Sequence, residues 1–399
     1  MRPFADSRAR ALLGALAAFC WLLGLWAGGA SVAVAQGGET VSRAPQAVLM
    51  DADTGAVLFA RNPDDLMYPA SMSKLMLLAV VFHKLKMGEL KLENEFLMSE
   101  FAWRKGGAPS GTSAMFVPVG TRATLDDLIK GIVVQSGNDA AISIAENIAG
   151  SETNFAVQMT EEARRIGLRK SVFRNATGLH HPDHQMTARE LALLSRYIIK
   201  EFPEFYQLFA LREFKYRTHR FTNRNPLLNL VEGVDGLKTG YIKEAGYGIA
   251  ASAKQGERRL IAVVNGLGSA EERRDDARRL LDWGFKSFTE FKLYEAGEVV
   301  GHARVWGGER MFVPLSGKGE VNVVLPRQQA SQKLNARIVY KGPLKPPLRK
   351  GEQVAVLRVT TATETTNEVP LYVAEDVDRG GVIRRGLDTL LYLATRWIP

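Results

Sequence analysis

Cysteine is nearly absent. The chain has one in 399 residues, Cys20, and it lies inside an apolar stretch near the N-terminus. Removal of that stretch on export would leave no thiol, which excludes disulfides, a thiol nucleophile and a thiolate metal site from the remainder. Histidine is scarce as well, six in all. Three of the six, His180, His181 and His184, share one short segment broken by Pro182. With no other histidine near them in sequence, they read as loop residues packing near a cleft, and no metal or cofactor is expected. Lysine and arginine form no block interleaved with aromatics, so nucleic acid is not the expected partner despite a net charge of +9.

What is present begins with an export signature. Arg2, Arg8 and Arg10 precede the apolar residues 11–27, and Ala33-Val34-Ala35 offers a small-residue cleavage site before Gln36. Residues 1–35 therefore read as a signal peptide, with a retained membrane anchor as the alternative. Cys20 is not at the cleavage junction, so a lipoprotein is not indicated. Loss of residues 1–35 removes three arginines and one aspartate and leaves +7. For an exported chain that excess suits an anionic membrane or wall polymer. At 46% apolar content the chain can bury a large core, and its length points to two or more domains.

Residues 46–61 alternate around Asp53-Thr54-Gly55 and predict a hairpin of strands 47–51 and 57–61. A buried helix follows Pro69, with Leu75, Leu78, Ala79 and Phe82 at helical spacing, and runs to about residue 86. Residues 99–123, rich in Gly and Pro, read as loop. Thr124 and Asp127 form a capping-box pattern opening a helix through residue 134; further helices are expected over 139–149, 151–166 and from the Thr187/Glu190 cap to about residue 200. Segment 203–232 is mixed. Strands over 236–242, 248–253 and 260–265 and a helix over 270–285 then follow. Strands at both ends with helices between predict an α/β (α+β) domain over residues 36–290, in which one antiparallel sheet from both termini is covered by helices.

Beyond residue 291 the texture changes. Val-rich runs at 299–305, 321–325, 336–340 and 354–360 alternate with Gly/Pro turns and predict a small β-rich domain over 291–375, a spacer or docking module. In residues 378–399, Ile383, Leu387, Leu390, Leu391, Ala394, Trp397 and Ile398 share an arc of about 120°, while Arg385, Asp388, Tyr392 and Arg396 lie outside it. That pattern predicts an amphipathic helix lying in a membrane interface; docking on its own domain or a homodimer contact is the alternative.

The chemistry centres on residues 68–76, Tyr-Pro-Ala-Ser-Met-Ser-Lys-Leu-Met. Ser71 and Lys74 are three apart on one helix face, and a serine becomes nucleophilic only when a base takes its proton. An amine serves if burial or a second cation depresses its pKa. Alone, Ser-x-x-Lys is a weak signal. Two more pieces follow in order: Ser136-Gly137-Asn138, on a break between two helices, and Lys238-Thr239-Gly240, on a predicted strand. This set occurs in penicillin-binding proteins and class A β-lactamases. The chain resembles the low-molecular-mass penicillin-binding proteins, the serine-type D-Ala-D-Ala carboxypeptidases.

The resemblance implies a β-lactamase/transpeptidase-like fold, a peptidoglycan stem peptide as substrate, reaction with β-lactam antibiotics, and a site on the periplasmic side of the cytoplasmic membrane, held to the inner-membrane surface through the C-terminal helix. It implies Ser71 as nucleophile, Lys74 as base, Ser136 as proton relay, Asn138 as the group holding Lys74 and the substrate amide, and Lys238 as the second cation that lowers a lysine pKa. The oxyanion would rest on the backbone N–H groups of Ser71 and Tyr241. Thr239 and Arg273 would bind the terminal carboxylate beside Gly240, and Ser113 would line the cleft. A class A β-lactamase also needs a glutamate in a Glu-x-x-x-Asn pattern, and no Glu here has Asn four residues later. A cross-link-cutting D,D-endopeptidase uses the same machinery, and a non-catalytic wall protein that merely binds penicillin is the alternative of a different class.

Overall fold

The computed structural model describes residues 41–327, 334–360, 366–382 and 386. The expected signal segment, residues 1–35, and the apolar positions of the expected C-terminal helix lie outside the described residues. The chain order is β1 (Gln46–Asp51), β2 (Val57–Arg61), a 3-10 turn (Ala70–Ser73), α1 (Lys74–Lys86), β3 (Glu95–Leu97), α2 (Glu100–Gly106), β4 (Arg122–Thr124), α3 (Leu125–Lys130), a π turn (Gly131–Gln135), α4 (Asn138–Ala149) and α5 (Glu152–Arg165). Next come α6 (Ala188–Glu201), α7 (Pro203–Tyr206), the hairpin β5 (Glu213–Tyr216) and β6 (His219–Thr222), then β7 (Val234–Ile242), β8 (Gly246–Gln255), β9 (Arg258–Leu267) and α8 (Ala270–Ser287). The last stretch is all strand: β10 (Phe288–Tyr294), β11 (Val299–Arg304), β12 (Phe312–Ser316), β13 (Val321–Pro326), β14 (Asn335–Tyr340), β15 (Gln353–Thr360) and β16 (Thr366–Val373).

Five strands form the sheet that organises the first region, in the antiparallel order β2-β1-β9-β8-β7. Both chain ends of the region contribute, as the distribution of strands and helices predicts. Side chains alternate faces along a strand. Val48, Met50, Ala250, Ile261 and Val263 join the buried cluster that contains α1 and the helices beyond it. Ala47, Leu49, Ile249, Ala251, Leu260, Ala262 and Val264 join a second cluster with Ala277, Leu280 and Leu281 of α8. The sheet is thus buried on both faces, and α1 is the central helix of one of them. Leu75 to Val81 are all buried, which explains why the apolar spacing of this helix is nearly continuous rather than one-sided.

Two stretches differ from expectation. Residues 99–123 contain a helix, α2, capped by Ser99 Oγ accepting from Ala102 N, and the stretch is flanked by a short ladder of β3 with β4. Glycine at 106 and 107 marks the C-terminal stop of α2 rather than a continuous loop. The Thr187 cap forms, its Oγ1 accepting from Glu190 N at 3.1 Å. The Glu190 carboxylate does not close the capping box; it turns to Lys170 N and to Ser171 N and Oγ. The second region holds a five-stranded antiparallel sheet, β11-β12-β16-β15-β14, and the pair β10–β13, around its own apolar cluster. Strands β10, β12 and β16 were not marked by the Val-rich runs. Among the described residues no helix is long and apolar enough to cross a membrane.

Candidate active site

Pro69 leads into the 3-10 turn, where Met72 N donates to Pro69 O and Ser73 Oγ donates to Ala70 O. Ala70 has φ +48°, a strained setting of the kind that clusters at functional sites. The sequence places Ser71 in the first turn of an α-helix; the structure makes that turn 3-10. The difference matters, because residues three apart eclipse in a 3-10 helix. Lys74, three residues on, stands over Ser71 with its Nζ 3.0 Å from the serine Oγ.

Lys74 is fully buried. Its Nζ lies 2.7 Å from Asn138 Oδ1 and 2.5 Å from the Thr177 carbonyl oxygen. Both of these partners only accept. A neutral amine has two N–H groups and one lone pair, so filling the two acceptors leaves the lone pair directed at the Ser71 hydroxyl. Burial, reinforced by the Arg224 guanidinium, lowers Lys74 to about 7, against the opposing carboxylates of Glu152 and Asp139. The sequence reading assigned this task to Lys238. In the structure burial acts first on Lys74 and Arg224 is the neighbouring cation that adds to it. Lys238 is itself held well below its ordinary value, by burial and then by the Lys74 charge.

The second motif sits where helical pairing breaks. The π turn after α3 ends at Ser136, which has φ +64°, and Asn138 opens α4. This kink turns Ser136 toward the cleft and Asn138 toward Lys74. Ser136 Oγ is buried and has no hydrogen-bond partner among the described residues. Asn138 Nδ2 donates to Thr112 Oγ1, fixing the amide so that Oδ1 faces Lys74. Its backbone N–H donates to Ser113 O at 2.7 Å. Asp139, next in sequence, accepts from Met115 N and Val117 N. The loop bearing Ser113 is thereby tied to the helix bearing Asn138.

The third motif lies on β7, the edge strand that runs past the nucleophile turn. A Cβ at Gly240 would come within 2.8 Å of Pro69 O, so only glycine allows this approach. Lys238 is buried, and its Nζ makes one long contact, 3.3 Å to Thr239 O. Tyr241 is half exposed and stacks on its cross-strand partner Tyr247 with ring centroids 4.2 Å apart. The Arg273 guanidinium lies 5.8 Å from the Tyr247 ring centre, and its Nε is buried without a partner among the described residues. Ser71, Ser113, Ser136, Thr239, Gly240, Tyr241 and Arg273 all line one cleft of about 370 Å³, with Arg224 and Tyr247. Lys74, Asn138 and Lys238 stand behind its wall.

Sequence reasoning missed four contributors. Arg224 falls in the mixed segment 203–232, where no periodicity marks it. Thr177 acts through its carbonyl, which no side-chain pattern reveals. Asp139 passes for an ordinary acidic residue in a first helical turn. Tyr247 was findable, because Tyr241 and Tyr247 are equidistant from Glu244 at the β7–β8 turn and so face each other across the hairpin. The three loop histidines make separate contacts: His180 with the Tyr68 ring, His181 Nδ1 with Asp183 N, and buried His184 with the Phe173 ring. Burial lowers His184 to about 3. No group of three or more potential ligands able to hold a metal occurs among the described residues.

Comparison with known proteins gives the same region and order. Residues 33–268 match the profile of the D-alanyl-D-alanine carboxypeptidase family, and residues 288–379 match the C-terminal domain of penicillin-binding protein 5. D-alanyl-D-alanine carboxypeptidase DacC of Escherichia coli (strain K12) is 36% identical over 355 residues, 88% of each chain. The solved structure of penicillin binding protein 5 from Haemophilus influenzae superposes with a TM-score of 0.74 at 33% identity, covering 86% of this chain and 99% of that one. Penicillin-binding protein D2 from Listeria monocytogenes, solved in an ampicillin bound form, gives a TM-score of 0.53 at 28% identity over 61% of this chain and 97% of that one.

Proposed function

The chain belongs to the D-alanyl-D-alanine carboxypeptidase family of serine peptidases, and from that premise we propose how its own residues carry the reaction. Neutral Lys74 takes the Ser71 proton as Oγ attacks the carbonyl carbon between the two terminal D-alanines of a stem pentapeptide. The oxyanion that forms rests on the backbone N–H groups of Ser71 and Tyr241. As the C–N bond breaks, Lys74 gives that proton to the Ser136 hydroxyl, Ser136 passes its own to the departing amine, and D-alanine leaves with Lys74 neutral again. Water then attacks the ester on Ser71 as Lys74 takes its proton; the C–Oγ bond breaks, Lys74 returns the proton to Ser71 Oγ, and the shortened peptide departs with a new carboxyl group that ionises in water. Asn138 holds Lys74, while Lys238, buried near it, is the second amine whose charge is coupled to that of Lys74. Thr239 and Arg273 hold the substrate carboxylate, and Ser113 lines the cleft around the peptide.

One observation carries this reading: a buried amine whose other two partners are acceptors, facing the hydroxyl of a serine that opens into a cleft. The same attack on a β-lactam opens the ring, but the expelled amine stays tethered and obstructs hydrolysis. The Listeria relative solved in an ampicillin bound form supports β-lactam binding by this chain. The export signal at 1–35 and the amphipathic pattern at 378–399 support a periplasmic enzyme attached to the inner-membrane surface, with domains at 36–290 and 291–375; a dimer through the C-terminal segment is the competing use of the same pattern. The test is D-alanine release from a pentapeptide ending in D-Ala-D-Ala, with Ser71→Ala alongside. Release by the wild type alone is expected. Equal release by the variant would remove Ser71 from the reaction.

A further inference from the structure

Lys74 depends on a carbonyl supplied by a turn far from it in sequence. Thr177 O belongs to residues 175–179, where Asn175 Oδ1 accepts from Thr177 N, Thr177 Oγ1 and Gly178 N, and Asn175 Nδ2 donates to Leu179 O. The turn lies against the nucleophile: a Cβ on Gly178, at φ +78°, would come within 2.0 Å of Ala70 O. Internal bonds alone do not fix where such a turn sits. Its outside anchor is Glu152, the first residue of α5 and 6% exposed, whose Oε1 accepts from Ala176 N at 3.0 Å. The other oxygen, Oε2, meets Lys105 Nζ at 2.7 Å. Lys105 is carried by α2, and α2 packs against α4, which bears Asn138. One carboxylate thus connects the turn that presents the Thr177 carbonyl to the helices that present the Asn138 amide.

We propose that Glu152, with Lys105 as its counter-ion, is a positioning residue that holds the Thr177 carbonyl on Lys74 and sets the pH range in which Lys74 acts as base. The proposal rests on the reading of Lys74 as that base. A buried charge with little water around it acts over a longer range than a surface one. The titratable and charged groups coupled to Lys74 come from several elements: Asp139 from α4, Glu152 from α5, Arg224 after β6, Lys238 from β7, and His184, which burial keeps neutral, from the histidine loop. Glu152 and Asp139 favour the ammonium form, and Arg224 opposes it. Lys105 offsets part of the Glu152 charge, so the two members of the pair act on Lys74 with opposite signs.

The opposite signs give the test. The rate of Ser71 acylation by a fluorescent penicillin is measured against pH for the full chain, Glu152→Gln and Lys105→Met. Glu152→Gln keeps an acceptor for Ala176 N but loses the charge, so the midpoint of the rise moves down by about one pH unit. Lys105→Met leaves the carboxylate uncompensated and moves the midpoint up by about half a unit or more. General loosening would not shift the two in opposite directions. Lys105 is 43% exposed, so its variant tests the proposal even where the Glu152 variant folds poorly. Unmoved midpoints, or shifts of the same sign, overturn it. Absence of acylation in the wild type would instead count against the reading of Ser71 and Lys74.

Discussion

The two regions of the chain treat buried charge in opposite ways. In the first, Asp51, Lys74, Asp139, Glu152, Glu190, Lys238 and Asp276 are all buried. After residue 287 the buried polar residues among those described are Ser316 and Asn367, neither charged. Burying an ion costs several kcal/mol unless it is paired or hydrogen-bonded. The first region absorbs that cost with backbone N–H groups on its carboxylates, as at Asp139 and Glu190, and leaves Lys74 and Lys238 without any close carboxylate partner. Two lysines held that way shift toward neutrality, which acyl transfer requires of one of them. The second region folds on alternation alone. Buried lysines with no close carboxylate mark the site, and the described residues of the second region contain none.

The largest effect expected from breaking this contrast is at Lys74. Lys74→Ala removes the proton acceptor, and the acylation rate at neutral pH falls by about 10²–10⁴-fold. Normal acylation of that variant, by stopped-flow with a fluorescent penicillin, would sink the base assignment. For the wild type the sign follows from a pKa lowered to about 7. Below that value Lys74 is protonated and inert as a base, so the rate rises with pH through about 7 and then levels. A rate that falls over the same interval would be inconsistent with it.

Arg273 gives the next largest effect. Its buried Nε, unpartnered among the described residues, and its position in the cleft suit a carboxylate. Arg273→Ala should raise KM for a D-Ala-D-Ala peptide by about 10–100-fold, since a charged hydrogen bond is worth about 1.5–3 kcal/mol. Capping the peptide as its methyl ester should erase most of the difference between wild type and variant. An undiminished difference on the ester would show that Arg273 supports the cleft wall through Tyr247 rather than binding the substrate.

Much of this was legible in the sequence because its signals are local. The three motifs, the hairpin at 46–61 and the Thr124 and Thr187 caps each depend on residues within a few positions of one another. The sheet from both ends followed from the order of strands and helices. What escaped depends on long-range contact. Arg224 and Thr177 matter only because two segments without periodicity fold onto Lys74. The relative weight of Lys238 and burial also required the structure, since a spacing cannot report how dry a side chain becomes. Strand β12 was hidden for a different reason: its middle residue is Pro314, which argues against a strand wherever its neighbours are unknown.

The smallest expected effect on chemistry, and the sharpest test of the contrast, is at Asn367. This side chain is fully buried. Its Oδ1 accepts from Val324 N and its Nδ2 donates to Val324 O, completing the backbone pairing of β13 in the manner of another strand. Val324 packs, with Phe288, into the cluster beneath the α8 face of the catalytic sheet. Asn367→Ala would leave a buried N–H and C=O unpaired and should lower stability by about 1–3 kcal/mol, read by denaturant unfolding. Acylation at 25 °C should not change, because Val324 lies on one face of the sheet and Met72 and Lys74 belong to the other. A loss of acylation equal to that of an active-site variant would mean that the β-rich region holds the catalytic geometry, and the division between the two regions would fail. Unchanged acylation with reduced stability would place the function of Asn367 wholly in the joint between them.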